Sequence, residues 1–145
     1  MRIAYHPAGA TLTAVALRAW ITSAKAAIAA PPSPGVALKL TDPRRPYWFG
    51  TEVLSDDRSS VGGVDYSRVQ ASVRTGALTF NAVSASEYAT ISAWHIATKG
   101  GRIPFVLELP DTKEIIAVTT RILRCGELTG YKRWTPAPWG IKEWI

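Results

Sequence analysis

Apolar positions recur at helical spacing in two stretches of this chain and in short, strand-like runs elsewhere. The clearest signal is Ser84 to Leu109, SASEYATISAWHIATKGGRIPFVLEL. Ser84 followed by Glu87 forms a capping box, in which the serine oxygen accepts from the Glu87 amide and the glutamate reaches back to the Ser84 amide. Tyr88, Ile91 and His95 then fall at i, i+3 and i+7, with Trp94 on their flank, and Ala85, Ala89, Ala93 and Ile96 make a second stripe of mostly small residues. A helix apolar on two sides is expected to be covered on both. Lys99 suits the negative helix end, and Gly100 can adopt the left-handed conformation that stops it. Ile103 to Leu109 reads as a strand, and Pro110-Asp111 turns it towards a further strand, Glu114 to Ile122.

Upstream, Leu17, Trp20, Ile21, Ala24 and Ile28 recur with helical period while Arg18, Thr22 and Lys25 line another side, so Thr13 to Ala29 predicts an amphipathic helix. A short strand, Arg2 to Tyr5, precedes it. Pro31, Pro32, Pro34 and Gly35 end the helix and read as a stiff linker, since proline supplies no amide and biases its predecessor away from helix. Val36 to Leu40 and Tyr47 to Leu54 read as strands on either side of a turn-rich Asp42 to Pro46. Ser55 to Gly63 reads as a flexible loop and Asp65 to Val73 as a strand. A short turn at Arg74-Thr75-Gly76 then leads into a strand, Ala77 to Ala82. Tyr66, Arg68 and Gln70 alternate with Ser67, Val69 and Ala71, the pattern of one covered and one wetter face. Strands at Tyr131 to Trp134 and Trp139 to Ile145 close the chain. The pattern is mainly β with two helices (α+β), divided into an N-terminal helix and proline-rich arm, 1–35, and one β-rich domain, 36–145.

Composition narrows the class. With 145 residues and 47% hydrophobic content the chain can bury a sizeable core without staples. Cys125 is the single cysteine, which excludes an internal disulfide and disfavours a thiolate metal cluster. Arg18 and Lys25 interrupt the longest apolar stretch, so no run reaches the roughly 18 residues of a membrane span, and the same cations disfavour a cleaved signal peptide. The net charge is +6, from 17 Lys and Arg against 11 Asp and Glu. That balance favours a polyanion or an acidic protein neighbour, although the cations are scattered along the chain.

Catalytic patterns are missing: there is no glycine-rich phosphate loop, no HExxH and no nucleophile elbow. His6, His95 and Cys125 lie at no metal-ligand spacing, and Asp56-Asp57 reads as a solvated hairpin tip. Neither a catalytic residue, a metal nor a cofactor is expected. Cations and rings do mix at Arg44-Arg45-Pro46-Tyr47-Trp48-Phe49 and at Tyr131-Lys132-Arg133-Trp134. Such mixtures serve single-strand nucleic-acid surfaces and protein interfaces alike, or simply supply core and surface. A protein interface is favoured, with nucleic acid the lesser alternative.

The segment from about Leu78 to Ile145 resembles the minor tail and distal tail proteins of long-tailed bacteriophages. The resemblance rests on the helix Glu87 to Trp94, Gly100-Gly101-Arg102 with Ile103-Pro104-Phe105 behind it, the Pro110-Asp111 turn and the terminal Trp139 to Glu143. It implies a β-sandwich or split barrel with a covering helix. It also implies a structural subunit of the virion that forms a homo-oligomeric ring at the tail tip, beside tail-tube and hub or tape-measure proteins. The Thr13 to Ala29 helix and its linker lie outside that pattern. Six tryptophans are more than so small a core is expected to hide, so some are expected in interfaces. The expected interface residues are Trp20, Ile21, Arg44, Arg45, Trp48, Tyr131, Arg133 and Trp144. In the last strand Trp139 and Ile141 are expected to face the core and Trp144 a neighbour.

Overall fold

The computed structural model describes residues 1–59, 62–63, 65–128 and 133–144, with the side chains of 46–49, 54–59 and 65–71 outside the description. In chain order the elements are β1 (Arg2–Tyr5), α1 (Ala14–Ala26), β2 (Val36–Lys39), β3 (Arg44–Ser59), β4 (Asp65–Thr79), α2 (Ala85–Ala97), β5 (Phe105–Glu108), β6 (Ile115–Thr120), β7 (Gly126–Leu128), β8 (Trp134–Pro136) and β9 (Trp139–Glu143). Seven strands form one antiparallel sheet in the order β2-β1-β5-β6-β9-β4-β3, and β7 pairs with β8 alone.

Consecutive strands β2 and β3 therefore occupy opposite edges of the sheet. Laid flat, seven strands would hold those edges about 29 Å apart, yet only residues 40–43 join them, a path that reaches about 17 Å when fully extended. The sheet must curl. The result is a half-barrel, an α+β split barrel with a helix on each side.

Period-two alternation sorts the central strands between the two helices. Ile3 and Tyr5, Phe105 and Leu107, and Ile116 and Val118 join Leu78, Phe80, Trp139 and Ile141 under α2, whose Ile91 and Trp94 fill the inside of the curl. Trp94 stacks on Trp139 at 4.3 Å between ring centroids, and Phe105 meets Trp94 edge-on at 5.1 Å. The intervening residues Ala4, Val106 and Ala117 face α1, which lays Leu17, Trp20, Ile21 and Ala24 against them. Small residues on that side let the helix approach closely.

Both helices start where expected. Thr13 Oγ1 accepts from the Ala16 amide, and Ser84 Oγ accepts from the Glu87 amide. The second half of the Ser84 capping box is replaced: the Glu87 carboxylate accepts from the Thr41 amide at 2.7 Å and the Thr41 hydroxyl at 3.1 Å. It thus ties the edge-to-edge connection to α2. At the other end of α2, Lys99, Gly100 and Gly101 all have positive φ. A Cβ at Gly100 would lie 2.3 Å from Ile122 O and one at Gly101 2.0 Å from Thr120 Cγ2, so both positions need glycine.

Two expectations are corrected. The 1–35 arm is part of the sheet, because β1 sits between β2 and β5 and α1 packs on β5 and β6. The proline-rich segment folds back over α1, where Pro32 O accepts from Trp20 Nε1 at 3.0 Å. Secondly, Ser55 to Gly63 is no loop as far as Ser59, and Arg74-Thr75-Gly76 is no turn. Residues 51–59 pair with 65–74, and Thr75 and Gly76 are laddered to Gly50 and Phe49 on one side and to Lys142 and Ile141 on the other. The faces of the Tyr66 to Ala71 side chains lie outside the description; along their backbone a bulge intervenes, since Leu54 pairs with Ala71 and Ser55 with Val69, leaving Gln70 extra.

Two outcomes follow from this packing. Deleting residues 1–30 removes an interior strand and the cover of one sheet face, so the truncated chain should lose its cooperative thermal transition. A folded truncation by circular dichroism would contradict the interior placement. Trp139→Ala, at a fully buried ring, should cost about 3 to 5 kcal/mol in denaturant unfolding. Trp144→Ala, at a half-buried ring, should cost about 1 to 2 kcal/mol.

Candidate assembly surface

The ladder between β4 and β9 covers only residues 75–78 of β4. Beyond it, residues 51–59 and 65–74 continue as a two-stranded ribbon about 30 Å long at the usual rise per residue. Among the described residues no third strand pairs with either edge of that ribbon. Pro46 lies where β3 slips its register between Arg44 and Trp48, on the edge strand, and there its missing amide costs no ladder bond. Val53, on the ribbon, leaves half its surface exposed.

The root of the ribbon is held by charge. Glu143 accepts from the Arg74 amide at 3.0 Å and from Arg74 Nε at 3.2 Å, while Arg74 Nη1 donates to Glu114. The hydrogen bond from Arg74 lowers the pKa of Glu143 against an opposing burial effect, lowers that of Glu114 in the same way, and raises that of Arg74 itself. Sequence reasoning missed this cluster, because its members are 40 and 69 residues apart in the chain. The one local signal, Thr75-Gly76, pointed to a turn.

The expected interface residues among those described differ in exposure. Trp20 and Ile21 are buried against the chain's own sheet, so the structure removes them from an outer face. Trp144 is half-buried on the same cluster, donates its amide to Ala117 O at 2.8 Å and carries Arg18 Cζ 4.6 Å above its ring. It turns away from Trp139 as alternation requires, but meets α1 rather than open solvent. Arg44 and Arg45 are exposed at the start of β3, with Arg45 Nη2 2.8 Å from Asp111. Arg133 is exposed just before β8, beside Trp134, whose ring stacks on Tyr88 at 4.4 Å. The Trp48 side chain and all of Tyr131 lie outside the described residues. Among the described tryptophan side chains, Trp20, Trp94 and Trp139 are buried and Trp134 and Trp144 half-buried within the fold itself.

The histidines have local partners. His95 Nε2 is 2.7 Å from Ile122 O, and His6 Nδ1 accepts from the Ala8 amide at 3.1 Å. Burial raises the Cys125 thiol pKa. Among the described residues no three His, Cys, Asp or Glu side chains gather as a metal site, and no helix is long and apolar enough to cross a membrane.

No protein-family model matches the chain, and neither the curated proteins nor the solved structures contain a match to it.

Because the Glu143 pKa is depressed in the folded state, its contribution is fully present above the ordinary value of 4.5 and is lost as pH falls through the lower folded value. The thermal midpoint should therefore decline between about pH 5 and about pH 3, and Glu143→Gln should flatten that decline. Identical acid slopes for the two proteins would show that Arg74 does not hold Glu143 in this way.

Proposed function

We propose that this protein is a structural subunit of a phage tail tip. In this reading it forms a homo-oligomeric ring in the virion between the tail tube and the hub, with tail-tube, hub or tape-measure proteins as neighbours. The observation that carries the proposal is the β3–β4 ribbon, with no strand of the described residues on either edge beyond residues 75–78 of β4. An isolated two-stranded ribbon is marginally stable in water, and unpaired strand edges are templates for pairing with another chain. A subunit that buries such a ribbon against a like neighbour makes a heterologous contact, which closes into a ring when the rotation permits. The short motifs between Leu78 and Ile145 support the same reading.

The test is to shorten the ribbon. A variant in which Leu54 is joined to Ala71 by an Asn-Gly turn keeps the half-barrel and removes the distal part of the hairpin. Its thermal midpoint should stay close to that of the parent, while sedimentation should show the parent associating, alone or with tail-tube or hub proteins, and the variant monomeric. A parent that stays monomeric at high concentration and binds none of those proteins would sink the proposal, as would a shortened variant that assembles like the parent.

A further inference from the structure

Three cations, Arg102, Arg121 and Lys142, gather around the end of β6. The Gly100-Gly101 turn docks along the end of β6, since Gly101 O accepts from the Thr120 amide at 2.8 Å and Gly100 O from the Ile122 amide at 3.0 Å. Arg102 is thereby brought beside Thr120 and Arg121. Across the ladder Thr119 pairs with Lys142 and Thr120 with Ile141. Two adjoining hollows of about 420 Å³ result. One is lined by Arg102, Thr119, Thr120 and Arg121, and the other by Thr119, Thr120, Arg121, Gly140 and Lys142. Gly140 opens the floor, because a Cβ there would meet nothing within 4 Å.

One feature singles this groove out. Arg102 and Arg121 have no carboxylate partner among the described residues, and Lys142 has only Glu52 at 3.5 Å, with both side chains about half exposed and the pair therefore weak. Cations gathered with so few carboxylate acceptors suit a ligand rich in acceptor oxygens and poor in donors.

We infer that the groove formed by Arg102, Thr119, Thr120, Arg121 and Lys142 binds a phosphate-type oxyanion, either free or carried in a nucleic-acid backbone. This goes beyond the assembly role and does not depend on it. The test titrates the full chain at low salt with inorganic phosphate and with a short oligothymidylate, following backbone amide shifts by NMR. Saturable shifts at residues 119–121 and 140–142 are expected with at least one probe. Arg102→Gln and Arg121→Gln, both at exposed positions, should each weaken binding about tenfold, while Arg44→Gln, outside the groove, should leave it unchanged. Tighter binding of the oligothymidylate with a steep salt dependence identifies a nucleic-acid backbone as the source, and binding no tighter than phosphate identifies a free oxyanion. Three results would overturn the inference: saturation by neither probe, equal weakening by Arg44→Gln and Arg121→Gln, or an oligoglutamate peptide binding more tightly than both probes.

Discussion

Residues 40–43 cross from one edge of a seven-stranded sheet to the other, and the architecture depends on how short that crossing is. An extended segment of that length cannot span a flat sheet, so the strands close up into a half-barrel whose inside must then be filled. Glu87 holds the crossing to α2 through Thr41, and the Met1 amino group donates to Leu40 O at 2.8 Å and lies 2.6 Å from Asp42. The helix that fills the curl is thus fastened to the link that creates it. Inside, the Trp94 and Trp139 rings stack and Phe80 and Phe105 meet Trp139 edge-on, which supplies large apolar volume in few side chains. The Trp94 indole N–H is buried without a partner, a cost that this packing must exceed.

The outer face of the central strands follows a different rule. Ala4 and Ala117 leave room for α1 to approach β1, β5 and β6, and Ala24, itself fully buried, meets them from the helix side. One set of strands therefore serves two cores, with bulky residues at one parity and small ones at the other. This is why the first 35 residues cannot act as a detachable arm. The edge-on contact of His6 with Trp20 fastens the segment before the helix to the same layer, and the bond from Trp20 to Pro32 O fastens the segment after it.

What the sequence made legible was local chemistry. Ser84 accepts from the amide three residues on, Gly100 ends α2, and Pro110-Asp111 turns the chain, because each feature is decided within a few residues. The alternation of Trp139 and Ile141 with Gly140 and Lys142 likewise set the buried face of β9. Errors arose where distant pairing overrode local composition. Thr75-Gly76 has the look of a turn, but ladders on both sides hold it extended. Ser55 to Ser59 is polar, yet its partners across the ribbon lie at residues 65–69. The cover over Trp20 and Trp144 escaped the sequence for the same reason. Trp20 and Trp144 were judged by size and position in their own segments, whereas burial of the first and partial cover of the second come from a sheet assembled across the whole chain.

The ribbon combines a fixed root with free edges, and that division has mechanical consequences. Arg74 is gripped through its amide and its guanidinium by Glu143 on β9 and by Glu114 just before β6, so the point where the ribbon leaves the sheet is fixed by two strands at once. Past Arg74, among the described residues, only the β3–β4 ladder continues, and the bulge at Gln70 adds a local twist. A long lever on a rigid root can hold a constant angle to the half-barrel while its edges remain open to pairing. For the proposed ring that angle would set the rotation between neighbours, which decides whether a heterologous contact closes or runs on as an open helix. The salt-bridged root, rather than the tip, is then the part of the ribbon that would carry ring geometry.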